Sequence, residues 1–343
     1  MILDKILIFQ RTMARARIIG TGSYLPKKIL SNTDLEKLVD TSDDWITTRT
    51  GMKERRIASQ EEPTSFMGAE AAKEALRKAS LTPADIDLIL VATITPDYPF
   101  PSTACLIQAE LQATKSGAMD IQAACSGYIY GLSIAKAYIE SGIYRHILVI
   151  ASEKLSSFTD YEDRSTCVLF GDGAAACVVS DKGDGFAIDS IVLGADGTQK
   201  DLLYMPGGGV CNPASIETVQ SRQHFIKMEG KETYKHAVRR MESAAMQCLE
   251  KTGYSEEQIS YLVPHQANMR IIEGLAKRFK ISMDKVFITI HKYGNTSASS
   301  CGIALDELIY EKDIKEGEHL LLVAFGAGLT WGASIITSIK ESS

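Results

Sequence analysis

The chain has 343 residues, 45% hydrophobic and 23% charged, enough for one large domain or two ordinary ones with an ample core. Its net charge of −6 argues against nucleic acid as a bulk partner, and no apolar run approaches the ~20 residues of a membrane span. The seven cysteines are irregularly spaced without a CxxC pair, which argues against a disulfide framework or a zinc site and for a reducing cytoplasm.

Residues 1–9 are too short for a secretory leader and lack both a basic start and a small-residue cleavage site. Met13 is an alternative start, which makes 1–12 a dispensable N-terminal extension. Ala16 to Ser23 reads as a strand entering a turn; its GxG lacks the third glycine and the spacing of a dinucleotide site. Ser31 to Asp34 caps a helix carrying Leu35, Leu38 and Val39. Trp45 stands among Arg49, Lys53, Arg55 and Arg56, a set able to stack on and neutralise a nucleotide-like ligand. A solvated charged face with one half-buried tryptophan explains the same composition, and composition alone favours it. Phe66 to Ala79 is an alanine-rich amphipathic helix, Ile86 to Ala92 a buried parallel strand, and Ser102 to Leu111 a helix.

Asp120 to Tyr128 then delivers Cys125, among small residues, to the first turn of a helix expected from Gly127 to about Ser141. Unpaired N–H groups and a partial positive charge at a helix start shift a thiol toward thiolate and can hold an oxyanion. Free cysteine is equally a small core hydrophobe. Arg145 to Ala151 is another buried strand, and Val168 to Val179 a turn feeding a small-residue strand.

The second half repeats this order. Ile259 and His319 each follow their counterparts, Ile86 and His146, by 173 residues, which indicates a duplicated α/β unit. The same offset carries Cys125 to Ala298, at the start of another helix, so the two helix starts are expected to face one another. Between the halves, Tyr204 to Pro213 is loop by composition, a surface loop rather than a lid. His265 sits just past a buried strand, where ligand sites gather in parallel sheets. Asn295 lies in a glycine-containing turn, where asparagine commonly serves as a turn former, and Ala324 to Leu329 forms a loop whose backbone can approach a ligand. Cys, His and Asn in that order also suit a papain-like protease, but the Gly-Ser-Cys-Trp signature is missing and a duplicated α/β core is the wrong scaffold.

Taken together, these segments resemble the ketoacyl-acyl-carrier-protein synthase III family, the initiating condensing enzymes of type II fatty-acid synthesis, from about Ala14 to Ile339. The resemblance rests on Gly20 to Pro26, Trp45 to Gly51, Ala124 to Gly127, His265 to Arg270, Tyr293 to Ser297 and Phe325 to Gly332. It implies an α/β thiolase fold: duplicated βαβαβαββ halves in a five-layered α-β-α-β-α sandwich, residues 13–185 carrying the nucleophilic cysteine and 186–343 the His and Asn. It implies a triad of Cys125, His265 and Asn295, with an oxyanion hole from the backbone N–H groups of Cys125 and Ala327. Acyl-CoA would load Cys125, and malonyl-acyl-carrier protein would lose carbon dioxide to an enolate held by His265 and Asn295. No cofactor is implied, the coenzyme A thioester being a substrate, and no metal.

The resemblance further makes Trp45 and Arg164 an adenine sandwich with Thr41 and Arg49 nearby, reversing the compositional reading of Trp45. It makes Gln266, Ala267, Asn268, Met269 and Arg270 the carrier-protein segment, beside Lys231, Lys235, Arg239, Lys277, Arg278 and Lys280, a basic face for an acidic carrier. Phe100 would reach the acyl tunnel of the partner in a homodimer. Ala327 replaces a glycine common in the family, and the loop Met205 to Gln223 is longer than usual. A secondary-metabolite acyltransferase on the same fold and a non-catalytic acyl-CoA or carrier-binding subunit are the competing readings; retention of all three triad residue types argues against the second.

Overall fold

The computed structural model describes residues 15–341; the expected extension 1–12 and Met13 lie outside them. The first half runs β1 (Arg17–Tyr24), α1 (Thr64–Lys78), β2 (Leu88–Ala92), α2 (Thr103–Glu110), β3 (Gly117–Ile121), α3 (Gly127–Glu140), β4 (His146–Lys154) and β5 (Asp172–Ser180). The second runs β6 (Gly185–Ala195), α4 (Gly230–Thr252), β7 (Ile259–Pro264), α5 (Met269–Arg278), α6 (Ser299–Glu311), β8 (His319–Gly326) and β9 (Thr330–Ile339). The strands order as β7-β8-β9-β6-β1-β5-β4-β2-β3, two similar sheets joined where Arg17 and Ile18 of β1 pair with Ala187 and Phe186 of β6.

The continuous apolar runs of the central strands follow from burial on both faces. In β8, Leu320, Leu322 and Ala324 meet α3 and α6, while Leu321, Val323 and Phe325 meet α4 and α5. In β2, Leu88, Leu90 and Ala92 face the same middle layer and Ile89 and Val91 face α1. Three cores therefore separate five layers, with α3 and α6 in the middle. Gly20 and Gly22 serve this packing and no dinucleotide: a Cβ on either would stand 2.4 Å from a carbonyl oxygen of α1.

The duplication holds at the level of register. Leu88 pairs with Ile147 in parallel, and 173 residues on Tyr261 pairs with Leu320. Ala124 and Ser297, again 173 apart, are both left-handed, at φ 45° and 50°. The helix starts do face one another, a Cβ built on Gly127 lying 3.4 Å from that of Ala298.

The halves diverge in two places. Where the first has β3, the second keeps a single parallel bridge, Leu262 to Val286. There the Gln266 side chain supplies what a strand would, donating to Pro264 O at 2.7 Å and accepting from the amides of Thr289 (2.9 Å) and Ile290 (3.1 Å). The β4–β5 connection spans 155–171, whereas β8–β9 turns through 327–329. The helix expected from Ser31 has its capping box but runs only Asn32–Leu35, because Leu38 is exposed and offers no apolar face to continue it. Beyond Tyr204, which with Leu203 pairs with Lys227–Met228, the stretch to Pro213 is loop as expected, and the longer segment to Gln223 contains the helix Ile216–Gln220.

Candidate active site

Cys125 lies in a 3-10 turn, Ala124–Ser126, that runs into α3. The left-handed Ala124 aims it, a costly conformation for a non-glycine residue and one that persists at functional sites. Polar ties over-determine the turn. Ser126 Oγ lies 2.7 Å from Ala123 O and 2.8 Å from Thr330 Oγ1, and Thr330 Oγ1 lies 2.8 Å from Ala123 O and 3.0 Å from Ala327 O. They bind the cysteine turn of one half to the 327–330 turn of the other. Gly326 permits this, since a Cβ there would stand 2.5 Å from Cys125 N.

Burial pushes the Cys125 thiol up to about 12; a Ser297 hydrogen bond draws it down and the Glu153 charge raises it again. The expected shift of this cysteine toward thiolate is opposed by desolvation, which raises the thiol. The resting group is a neutral thiol.

His265 follows β7 and is buried, with its amide on Val323 O at 2.7 Å. Burial depresses its pKa to about 3, so the ring is neutral. Its Nδ1 stands 2.6 Å from Ser300 Oγ, which also accepts the Gln266 amide at 3.3 Å. Ser300 Oγ can donate its proton to Nδ1, the arrangement in which the ring proton is carried on Nε2. Asn295 is clamped through its backbone, N to Leu169 O (2.9 Å) and O from Gly171 N (3.0 Å). Its Oδ1 accepts the Ser297 amide at 2.9 Å, which leaves Nδ2 as a donor.

One cavity of about 640 Å³ has Cys125, His265 and Asn295 in its wall together with Trp45, Arg49 and Arg164. Both guanidinium carbons, of Arg49 and Arg164, lie 5.0 Å from the Trp45 ring centroid. Arg164 also donates to Asp40 O at 2.9 Å. The Arg164 guanidinium thus already covers the Trp45 ring, with no third planar group between them. Thr41 is not in this wall, and its hydroxyl is buried without a partner. Arg55 is wholly buried, holding Leu30 O, Asn32 Oδ1 and Val168 O; it is a structural residue, not part of a ligand-facing basic cluster.

The expected carrier segment divides. Arg270 is exposed, Ala267, Asn268 and Met269 are half-buried, and Asn268 caps α5 by accepting the Arg270 amide at 2.9 Å. Gln266 is 1% exposed and spent on backbone groups, so it cannot touch a docking protein, which corrects its assignment. Lys231 and Arg270 line the cavity mouth from α4 and α5. Phe100 is 85% exposed and outside the cavity. Ala327 opens the short turn tied to Cys125 through Thr330. Sequence reasoning missed Glu153, Ser297, Ser300 and Thr330. Only the 173-residue offset, which maps Ala124 onto Ser297, could have flagged one of them.

The chain matches the family described as 3-oxoacyl-acyl-carrier-protein synthase III over residues 119–197, and that family's C-terminal part over 249–338. A beta-ketoacyl-acyl-carrier-protein synthase III of Chlamydia muridarum is 60% identical over 94% of this chain and 99% of its own length. The crystal structure of 3-oxoacyl-acyl-carrier-protein synthase III from Aquifex aeolicus VF5 superposes with a TM-score of 0.87 at 52% identity, covering 94% of this chain and 99% of that one. The priming beta-ketosynthase of the R1128 polyketide pathway gives 0.87 at 36% identity, covering 97% of this chain and 100% of its own.

Proposed function

The chain belongs to the 3-oxoacyl-acyl-carrier-protein synthase III family, and from that premise we propose how its residues divide the work. It is a condensing acyltransferase that joins an acyl-CoA primer to malonyl-acyl-carrier protein with loss of carbon dioxide, initiating fatty-acid synthesis. The Cys125 sulfur attacks the acyl-CoA carbonyl, and the backbone N–H groups of Cys125 and Ala327 hold the oxyanion. The thiol proton leaves with the coenzyme A sulfur, giving acyl-Cys125 and free coenzyme A. Because thiol and imidazole are both neutral at rest, the proton departs during attack rather than before it.

Malonyl-acyl-carrier protein then enters. As carbon dioxide leaves, the electron pair moves onto the thioester oxygen, where His265 Nε2–H and Asn295 Nδ2–H meet it. Neutral donors suit a developing enolate; a carboxylate would repel it. The enolate carbon attacks the acyl-Cys125 carbonyl, and collapse releases the 3-oxoacyl-carrier protein and a Cys125 thiolate, which takes up a proton from solvent to restore the thiol. The coenzyme A thioester is a substrate, and no cofactor or metal takes part in these steps.

The shared cavity, with Cys125, His265 and Asn295 in one wall and Trp45 with Arg164 in the same enclosure, carries this reading. Trp45 and Arg164 take the adenine, with Arg49 beside them, and Lys231, Arg270 and their basic neighbours receive the acidic carrier. Phe100, apolar and 85% exposed, is covered by a second copy in a homodimer, whose acyl tunnel it enters. Among the described residues no helix is long and apolar enough to cross a membrane, and we place the enzyme in the cytoplasm. Intact-mass measurement after incubation with acyl-CoA tests the core of the proposal. The protein should gain one acyl mass and Cys125→Ala none; an acyl mass retained by the variant moves the nucleophile elsewhere.

A further inference from the structure

Glu153, on β4, is fully buried beside the site and has no part in the steps above. All four of its hydrogen-bond partners are neutral. Oε2 accepts from Thr93 Oγ1 (3.2 Å), Ile94 N (3.1 Å) and Thr95 Oγ1 (2.8 Å); Oε1 faces Ser297 Oγ at 3.1 Å. A buried carboxylate without a cation is costly. The surroundings offer no compensating charge. On β5, Gly173 lies opposite, and Asp172 is turned to Ser156 and the Ala58 amide. Lys154, next on β4, sends its ammonium to Ser59 O. From the start of α3 the facing group is the Cys125 thiol, and from the start of α6 the Ser297 hydroxyl. Ser297 is left-handed, like Ala124, and its hydroxyl is bonded to Glu153 at the helix start that abuts the cysteine's, where a Cβ on Gly127 would lie 3.4 Å from that of Ala298.

We infer that Glu153, acting through the Ser297 hydroxyl, is a positioning residue that governs when the Cys125 sulfur is available as a nucleophile. The inference rests on the reading of Cys125 given above. Ser297 has one proton to give. When Glu153 is protonated on Oε1, it donates to Ser297 Oγ, and Ser297 turns its proton to the sulfur, stabilising thiolate character. When Glu153 is ionised, Ser297 donates to the carboxylate. The sulfur then loses a donor and faces a negative charge. No proton passes between protein groups; Glu153 exchanges its own with solvent, and the hydroxyl reorients. Burial pushes Glu153 up to about 7, which sets this exchange in the working range.

The test is the rate of Cys125 alkylation by iodoacetamide against pH in the full chain, read by peptide mass spectrometry, with exposed Cys105 and Cys211 as internal controls. The wild-type log rate should rise, flatten near pH 7 as Glu153 ionises, and rise again. Glu153→Gln keeps an oxygen for Thr93, Ile94 and Thr95 and points an amide donor at Ser297. Its profile should lose the break, with alkylation near pH 8 faster by at least about tenfold, the equivalent of one pKa unit. Ser297→Ala should react more slowly than wild type below neutrality and show a smaller break, because only the direct charge of Glu153 remains. A Glu153→Gln profile that keeps the break, or reacts no faster, overturns the coupling. Should that variant not fold, a break of undiminished size in Ser297→Ala overturns it instead. Acyl loading, followed in parallel by intact mass, separates this outcome from a failure of Cys125 as the nucleophile.

Discussion

Asn295 is where fold and chemistry can be pulled apart, because its two amide atoms do different work. Oδ1 accepts the buried Ser297 amide at 2.9 Å, and Nδ2 is left to face the enolate. Asn295→Ala removes both. Orphaning the Ser297 N–H costs about 1–3 kcal/mol of stability. Losing the donor costs ~10²–10³ in rate, about 2.7–4 kcal/mol of transition-state stabilisation. Asn295→Asp keeps an acceptor for Ser297 but presents oxygen to the enolate. Its stability should fall too, since a buried carboxylate without a cation is costly, while its decarboxylation falls at least as far as in the alanine variant. Neither change touches the Cys125 and Ala327 amides, so both variants should still load acyl groups. Labelled acyl-CoA measures loading, labelled malonyl-acyl-carrier protein measures carbon dioxide release, and thermal melts measure stability. An alanine variant that loses loading yet still decarboxylates would falsify the assignment, and so would an aspartate variant that decarboxylates at the wild-type rate.

Trp45→Ala and Arg164→Ala should raise KM for acyl-CoA more than for malonyl-acyl-carrier protein, stacking on a base being worth about 1–3 kcal/mol. Equal effects on the two substrates, measured by steady-state kinetics, would mark Trp45 as structural. Gly326→Ala places a methyl 2.5 Å from Cys125 N, so it should cost about 1–3 kcal/mol by overpacking and slow acyl loading, measured by melts and intact mass. Stability against pH reads two buried groups with opposite signs. Glu153, raised from 4.5 to about 7, binds its proton more tightly when folded and adds stability as pH falls from 7 to 4.5. His265, lowered from 6.5 to about 3, is protonated first in the unfolded chain and loses stability as pH falls from 6.5 to 3. Between 4.5 and 6.5 the two oppose, so Glu153→Gln should weaken relative to wild type by about 1.4 kcal/mol per unit of falling pH there. Urea midpoints would show it, and parallel curves for the two proteins would refute it.

The frame was legible because burial on both faces writes itself into unbroken apolar strands, and because a duplication leaves equal offsets. Ile86 with Ile259 and His146 with His319 foretold even the register of Leu88 on Ile147 and Tyr261 on Leu320. The site residues could be named from short motifs. Their electrostatics could not. Cys125 looks activated from its helix start alone, and only the dry surroundings reveal that its thiol holds its proton. Among Arg49, Lys53, Arg55 and Arg56, nothing in the string says that Arg55 turns inward to hold Val168 O while Arg49 lies over Trp45. Gln266 likewise sits in a docking motif but spends its amide repairing a missing strand. Glu153 and Ser297 lie 144 positions apart, and a buried polar partnership at that distance has no local signature.

The two left-handed residues, Ala124 and Ser297, carry a consequence for how the enzyme can vary. Duplication delivers two equivalent stations to one chamber, and a chamber with equal stations has no direction. Here the first station carries sulfur and the second, with Ala298 in the sulfur's place, carries a hydroxyl and the neighbouring amide of Asn295. Division of labour between twin sites thus lies in a few side chains on a common backbone. A chain built from two copies of the first half would keep the frame and present two nucleophiles with no enolate donor; two copies of the second would present the donors with nothing to acylate.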